Sequence, residues 1–466
     1  MAPPAAMRIL ILTPRLPWPP VDGGRIAMSR LAESLARAGA EVEILSLNPR
    51  KDRASIGSAP LPVQAVDIDT SRFVLPLRAP FVVSRFISAE FRDALRAKLR
   101  AFRPDVVQIE SPFLLPYLSV IPSEGTPPHP PSAPSPPCAG EKANQFNAAQ
   151  DSLAFSPPRG EKVPKADEGF GISSVVEGPD DKHGAMTVLR SHNVEFRIWE
   201  TLADHERNPL RRFALRRVAA SLRRYEVRHL NTPDAIVPIT AADAEELRRL
   251  GCTRPMHVAP CGVELQNLGG DPEPNTAGFI GSLDFRPNQE TAKWLVDELW
   301  PRVLKRMPEA KLLIAGKSPV GEQAFSPVKS VPDRRGRLSP HWNSIEFLGQ
   351  VPDADAFMRR MSVILAPLFA GGGMRIKVLE AMALGRPVVA TALGAGGIEF
   401  ENGCDIVIAE DADSFADAVV RLLRDPESAA RIGSAAREKV ASRYDSDAIG
   451  RELLSFYQSL DATRRG

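Results

Sequence analysis

Three consecutive glycines mark the segment where this sequence can most readily bind phosphate. Gly371, Gly372 and Gly373 follow an apolar run at 363–367 and precede a helical pattern at 376–384. Glycines let the backbone approach a phosphate closely, and the N-terminus of a helix presents free N–H groups to it. The segment therefore predicts a phosphate-binding loop between a strand and a helix.

Charged residues at the start of this helix indicate what kind of anion would bind. Arg375 and Lys377 lie at its N-terminal end, where cations oppose the helix macrodipole and a bound anion would explain them. Glu380 follows about one turn later, where its carboxylate can accept hydrogen bonds from ribose hydroxyls. A plain strand-to-helix turn with solvated cations is the alternative interpretation of these residues.

The elements that position these residues alternate between strand and helix. In the N-terminal half, short apolar runs predict strands at 8–13, 42–47, 105–109, 187–190 and 235–239. In the C-terminal half, such runs predict strands ending at 278–281 and covering 311–315, 363–367 and 388–391, with an amphipathic helix at 291–307. This alternation predicts an α/β fold of two doubly wound, Rossmann-like domains that face a cleft, where a ligand would bind.

One long stretch of the N-terminal half has a different composition. Residues 122–182 are rich in Pro, Ser, Gly and Glu and poor in apolar residues. Such a segment cannot bury enough apolar surface to offset the entropy of ordering. We therefore predict a disordered, Pro-rich insertion in the N-terminal domain.

Overall composition excludes several classes of protein. The net charge of +2 over 466 residues lacks the strongly basic footprint of nucleic-acid binding, so we expect no nucleic-acid partner. The four cysteines lie far apart, which argues against a disulfide framework or a zinc site. We see no signal peptide and no apolar run long enough to span a membrane. The expected location is the cytoplasm, with peripheral contact at the inner face of the membrane as an open option.

The block at 366–391 resembles the sugar-nucleotide signature of the GT-B glycosyltransferases, in particular retaining family 4. The resemblance extends to the Gly-Gly loop at Gly23, to HNVE at His192, to the PCGV segment at 260–263 and to FIGSLDFRPN at 279–288. It covers nearly the whole chain outside the insertion. Within the family, the pattern is most similar to a branch tied to surface-polysaccharide synthesis.

This resemblance implies a domain division and roles for individual residues. Residues 1–262 would form the acceptor domain, 263–444 the nucleotide-sugar domain, and 445–466 a helix returning to the first domain. The residues implied to act at the donor are Glu380 on the ribose, Arg375 and Lys377 on the diphosphate, Gly23 and Gly24 facing that diphosphate from the N-terminal half, and His192 at the reacting sugar.

Four positions depart from the family pattern, one of them Cys261, which replaces the Asn of the usual PNGV linker. The first glutamate of the usual pair, which contacts the transferred sugar, is replaced by Gly372. The usual Arg and Lys after the first strand of the C-terminal domain fall on Ser282 and Asn288. We interpret the cations of the Gly-rich helix as a relocation of this charge. Asn288 and the nearby Arg286 are kept as candidate substrate-binding residues.

The resemblance also implies a reaction. A sugar would move with retention of configuration from a nucleoside diphosphate sugar to a glycan or lipid-linked acceptor, without an obligatory metal or other cofactor. Two Asp-x-Asp sequences look like metal motifs, but we interpret Asp67 and Asp69 as part of a β-like stretch and Asp411 as a helix cap. Nucleotide-sugar epimerisation or hydrolysis, and a catalytically degenerate subunit that only binds, are the alternative functions.

A predicted helix at 209–230 bears on the acceptor. Eight arginines lie between Arg207 and Arg228, and an apolar stripe includes Leu210, Phe213 and Leu222. Basic amphipathic helices can lie on anionic membranes. We favour the other interpretation, in which the apolar stripe packs against the sheet.

Overall fold

The computed structural model describes residues 6–50, 57, 59–70, 80–122, 184–265, 270–317, 343–369 and 373–465. The chain divides into one unit of residues 1–122 and 185–466 and another of residues 123–184. The predicted insertion at 122–182 lies, apart from Pro122, outside the described residues.

The first sheet is parallel at every strand pair and has the order β3-β2-β1-β4-β5-β6. Its strands are β1 (Arg8–Thr13), β2 (Glu41–Pro49), β3 (Val63–Ile68), β4 (Val106–Ile109), β5 (Met186–Ser191) and β6 (Ala235–Pro238). The central strands are continuous apolar runs because helices cover both faces of such a sheet. Both faces accordingly carry clusters of buried apolar residues.

The second sheet repeats this plan with the order β12-β11-β10-β7-β8-β9, again parallel at every strand pair. Its strands are β7 (Thr276–Ile280), β8 (Lys311–Ala315), β9 (Ile345–Gly349), β10 (Val363–Ala366), β11 (Val388–Ala390) and β12 (Val407–Ile408). Two six-stranded parallel sheets with helices confirm the predicted pair of Rossmann-like halves.

Helices connect the strands in both halves. Those of the first half are α1 (Gly23–Arg37), α2 (Phe81–Ser84), α3 (Ala89–Phe102), a 3₁₀ helix (Pro112–Val120), α4 (Glu195–His205), α5 (Pro209–His229) and α6 (Ala241–Arg249). Those that follow are α7 (Arg286–Trp294), α8 (Trp300–Arg306), α9 (Ala354–Arg360), α10 (Ile376–Ala383), α11 (Ala412–Arg424), α12 (Pro426–Arg443) and α13 (Ser446–Arg465).

The helix predicted at 291–307 begins earlier than expected. It starts with α7 at Arg286, continues through a π-helical turn at Leu295–Leu299 and ends with α8. Pro287 lies at its N-terminus, where a missing N–H costs no hydrogen bond. The polar first turn lacks the apolar periodicity from which a helix start is predicted.

Helix α5 corrects the favoured interpretation of its apolar stripe. Leu222 is fully buried as expected, but the residues Leu210 and Phe213 are 80% and 64% exposed. Packing against the sheet is therefore wrong for the first two turns of the helix. Their apolar side chains face solvent among arginines.

The chain crosses between the halves at two neighbouring places. The backbone N–H of Val263 donates to Tyr444 O at 2.8 Å, and that of Ser446 donates to Val263 O at 3.1 Å. Beyond the second crossing, α13 lies against α1 and its Tyr457 hydroxyl donates to Gln108 Oε1 of β4 at 2.7 Å. The division into acceptor and nucleotide-sugar domains stays a prediction.

Candidate active site

The helices that follow the two Gly-rich loops begin next to each other. Helix α1 starts at Gly23 after β1, and α10 starts at Ile376 after β10. A methyl group on Gly23 would lie 3.8 Å from Ile376 Cδ1. A small buried apolar cluster around this contact comprises Ile26, Ala27, Ile239, Cys261 and Ile376. The positive ends of two helix macrodipoles therefore meet where the two halves face each other.

At the start of α1, the side chain of Arg15 lies directly against Gly24. A methyl group on Gly24 would lie only 2.5 Å from Arg15 Nη2. Arg15 pairs with Asp22 Oδ1 at 2.8 Å, and Asp22 caps the helix by accepting the N–H of Arg25 at 3.1 Å. A side chain at position 24 would displace the guanidinium of Arg15, which is the far end of a flexible side chain. Contact of Gly23 and Gly24 with a diphosphate stays a prediction.

At the start of α10, the predicted diphosphate and ribose ligands contact each other. Lys377 Nζ lies 2.7 Å from Glu380 Oε2, and Arg30 Nη2 lies 2.6 Å from Glu380 Oε1. The Glu380 side chain is only 7% exposed. Arg375 occupies the N-cap position, where burial lowers the pKa of its guanidinium. Both predicted cations thus lie at this helix end, as the sequence indicated.

The triple-glycine loop is described only in part. Gly371 and Gly372 lie outside the described residues. Gly373 has φ +80°, and a methyl group on it would lie 2.9 Å from Asn193 Oδ1 of the HNVE segment. A side chain at position 373 would therefore meet both strain and a clash. The loop after β10 and the loop after β5 approach each other here.

His192 lies at the end of β5 against a fully buried carboxylate. Its Nε2 is 2.6 Å from Glu110 Oε2, and Arg190 Nη1 is 3.0 Å from the same oxygen. Burial opposes ionisation of Glu110, but Arg190 and His192 together hold its pKa below the ordinary value. Burial, assisted by the charge of Arg190, lowers the pKa of His192. A neutral imidazole in this position carries its proton on Nε2 and leaves Nδ1 as an acceptor.

Two further carboxylates, Glu195 and Glu226, lie at the end of the HNVE segment and the start of α4. Glu226 of α5 accepts the backbone N–H groups of Glu195 at 3.1 Å and Phe196 at 2.9 Å, and thereby caps α4. Burial raises the pKa of Glu195 to about 8 and that of Glu226 to about 7. The segment that carries His192 is therefore followed by two buried acids whose pKa values lie near neutral pH.

The remaining candidates lie on the loop after β7 and at the start of α7. Asn288 Nδ2 donates to Ser282 O at 2.9 Å. The Arg286 side chain is 84% exposed and pairs with Glu290 of its own helix at 2.9 Å. Asn288 thus closes its own loop, and substrate contact by Arg286 or Asn288 stays a prediction.

The two Asp-x-Asp sequences are occupied by local contacts. Asp411 caps α11 by accepting the N–H groups of Asp413 and Ser414, which confirms the helix-cap interpretation. Asp67 lies in β3 and accepts from Asn48 Nδ2 at 2.9 Å, and Asp69 lies 3.7 Å from Arg50. Within the described ranges, no group of three or more His, Cys, Asp or Glu side chains could hold a metal ion. Independence of metal stays a prediction.

Sequence reasoning missed three residues of this site. Arg30, Glu110 and Arg190 each bind a predicted site residue or its partner. Glu110 carried a usable signal, because it is the first polar residue after a buried strand and open α/β sheets bind ligands at that edge. Arg30 carried none, since its partner is 350 residues away in sequence.

The comparisons with known proteins agree with this architecture. The model of the family Glycosyl transferase 4-like domain matches residues 22–129, and that of Glycosyl transferases group 1 matches residues 274–425. The two matches fall one in each half and together span more than half of the chain. The chain belongs to the GT-B glycosyltransferases of the family 4 type.

Individual relatives are more distant. A phosphatidyl-myo-inositol mannosyltransferase of Mycolicibacterium smegmatis is 30% identical over 212 residues, which are 43% of this chain and 51% of that protein. The chain thus spans about half the length of the curated relatives it matches. Among solved structures, sucrose-phosphate synthase from Thermosynechococcus elongatus superposes with a TM-score of 0.61 at 18% identity, over 98% of this chain and 100% of that one.

A second solved structure carries a nucleotide. Anabaena HepE in complex with UDP superposes with a TM-score of 0.58 at 14% identity, over 97% of this chain and all of that chain. At these identities the likeness shows the fold alone.

In the described part of the chain, no helix is long and apolar enough to cross a membrane.

Proposed function

We propose that this protein is a retaining glycosyltransferase that moves a sugar from a nucleoside diphosphate sugar to a glycan or lipid-linked acceptor. The observation that carries the proposal is the meeting of the N-termini of α1 and α10, with Arg375 and Lys377 at the second of them. Two positive helix ends and two cations at one place favour a diphosphate.

In this proposal the protein stabilises the charge that develops on the leaving diphosphate. Arg375, Lys377 and the helix dipoles are fixed before reaction, so they need little reorganisation in the transition state. Glu380 receives the ribose hydroxyls. His192 presents its Nδ1 acceptor to a hydroxyl of the transferred sugar. The leaving phosphate oxygen takes the proton of the acceptor, and the fixed cations supply the positive charge that a metal would otherwise bring.

The finer part of the proposal places the acceptor at a membrane. The exposed side chains of Leu210 and Phe213 are accompanied by the exposed arginines Arg207, Arg211, Arg212, Arg216 and Arg217. Apolar anchors within a cationic surface suit an anionic lipid surface. The Mycolicibacterium relative is named for transfer to a phosphatidyl-myo-inositol, and a lipid-linked acceptor in surface polysaccharide or glycolipid synthesis is consistent with this surface.

The donor half of the proposal is tested by calorimetry with UDP, GDP, ADP and their common sugar conjugates. We expect micromolar binding of one nucleotide, and at least tenfold weaker binding by Lys377→Ala. Lys293→Ala is the matched control, because Lys293 lies in the same half and pairs with Asp297 at an exposed position.

The transfer half is tested with the nucleotide sugar that binds in calorimetry. The protein and this nucleotide sugar are incubated with lipid and glycan extracts, and formation of glycosylated product is followed. Release of free sugar without acceptor would favour hydrolysis. Binding without turnover on every extract would favour the degenerate subunit, for which the loss of the usual glutamate at Gly372 is the motivating feature. Absence of any nucleotide binding would contradict the proposal.

A further inference from the structure

Arg30 joins three parts of the molecule through one guanidinium group. It projects from α1 in the first half, and its Nη2 lies 2.6 Å from Glu380 Oε1 in the second half. Its Nη1 donates to the backbone carbonyl of Gly262 at 3.4 Å, next to the crossing between the halves. The Arg30 side chain is largely buried. Arginine suits this position because its planar fork can reach two acceptors at once.

The two ion pairs of Glu380 take up only part of the accepting capacity of its carboxylate. A carboxylate offers about four acceptor positions. Arg30 takes one on Oε1, and Lys377 takes one on Oε2. Because each oxygen is held by a different cation, the plane of the carboxylate is fixed. The remaining acceptor positions are equal in number to the adjacent 2′- and 3′-hydroxyls of a ribose.

We propose that Arg30 is a positioning residue for the ribose of the nucleotide. It holds the carboxylate of Glu380 in the orientation that receives the ribose diol, and it ties that carboxylate to the crossing at Gly262. Among the residues that the structure describes, loss of Arg30 leaves Lys377, whose side chain is 40% exposed, as the ionic partner of this nearly buried carboxylate. The inference rests on the proposed function, because it assumes that Glu380 meets a nucleotide.

The test compares ribonucleotides with their 2′-deoxy counterparts. Calorimetry with UDP, 2′-deoxy-UDP, GDP and 2′-deoxy-GDP gives the ribose preference of each variant as a ratio of dissociation constants. We expect a preference of about tenfold or more in the wild type, since one lost hydrogen bond to a charged group weakens binding by that order. Arg30→Met is expected to reduce the preference to below about threefold while binding of the deoxy nucleotide changes little.

Two further variants separate positioning from folding. Arg37→Met is the control, because Arg37 lies two turns further along α1 and pairs with the exposed carboxylates of Asp447 and Glu264. It should keep the full ribose preference. Arg30→Lys keeps the charge but cannot span both acceptors, so an intermediate preference is expected. If Arg30→Met does not fold, a preference in Arg30→Lys equal to that of the wild type overturns the inference.

The outcomes distinguish this inference from the proposed function. If the wild type binds no nucleoside diphosphate, both fail. If the wild type binds ribo and deoxy forms equally, or if Arg30→Met keeps the full preference, the inference fails while the donor site stands. Equal weakening of ribo and deoxy binding in Arg30→Met would indicate a purely structural role and would also overturn it.

Discussion

At the edge of the first sheet, the charges are paired within one half of the molecule, whereas at the edge of the second they are paired between halves. Glu110, Arg190 and His192 lie on or just beyond two adjacent strands, and the first two are fully buried. Glu380 is instead held by Arg30 from the opposite half and by the half-exposed Lys377. Two sheets of the same topology thus carry different charge networks at their edges. The network at the first sheet stays within one half, and the network at the second sheet includes a residue of the other half.

The difference indicates that the two networks contribute differently to stability and to ligand binding. A buried network of ion pairs fixes a side chain in advance of binding, because each member constrains the others. A pair that joins two halves responds to their separation and to any ligand that enters between them. We therefore expect substitutions in the first network to act mainly on stability, and substitutions in the second mainly on binding.

The largest expected effect follows from Glu110→Ala. Removing this carboxylate leaves the guanidinium of Arg190 fully buried without its ionic partner. The free energy of unfolding should fall by about 3–5 kcal/mol, measured by urea denaturation. Lys377→Ala should change it by no more than about 1 kcal/mol, because Lys377 is half-exposed and Arg30 still holds Glu380. Similar losses in the two variants would remove the distinction between the networks.

A smaller effect, dependent on pH, concerns the acids behind His192. Since burial raises the pKa of Glu195 from 4.5 to about 8, the folded state binds a proton that the unfolded state releases. The associated stability is complete below about pH 4.5 and is lost as the pH rises through 8. Glu226 shifts in the same direction.

Thermal unfolding from pH 5 to pH 9 measures this contribution. We expect Glu195→Gln to flatten the decline in melting temperature, because an amide does not ionise in this range. Glu200→Gln, on the same helix but at an exposed ion pair with Arg197, should leave the profile unchanged. A wild-type profile without a decline between pH 5 and pH 8 would show that the pKa of Glu195 is not raised in the folded state.

The smallest effect tests whether the first half also contacts lipid. Vesicles containing about a third anionic lipid should carry the wild type in flotation at low salt and release it at high salt. The double variant Leu210→Ser with Phe213→Ser should float about half as much, because it keeps the arginines but loses the apolar anchors. Leu393→Ser, an exposed leucine of the second half, is the control. Failure of the wild type to float at low salt would exclude this contact.

The sequence predicts the fold better than the site, for physical reasons. Strands such as β1 and β10 are predictable because buried parallel strands are continuous apolar runs. The edge strands β9 and β12 were not predicted, since β9 is only partly buried and β12 has two residues. The cations at the N-terminal end of α10, Arg375 and Lys377, were predictable from their position next to the glycines in the sequence. The partner of Glu380 was not, because the approach of Arg30 depends on how the two halves meet.

Local periodicity also misled at one place. Leu210 and Phe213 continue the apolar stripe of Leu222 along α5, yet only the C-terminal part of that helix lies on the core. A helix that projects beyond its domain keeps the same pattern, so amphipathicity alone does not tell which turns are covered.

The return of α13 to the first half has a consequence for biosynthesis. One face of the first sheet packs against Ile449, Leu453, Leu454 and Tyr457, which all lie in α13 and follow the second half in the chain. During translation, the N-terminal half therefore leaves the ribosome with part of its core uncovered, while the second half can be completed first. The halves cannot mature strictly in the order of their synthesis. A chain truncated before Ser446 would keep both sheets and expose apolar surface on the first, which would make it a target for chaperones and proteases rather than a smaller working enzyme.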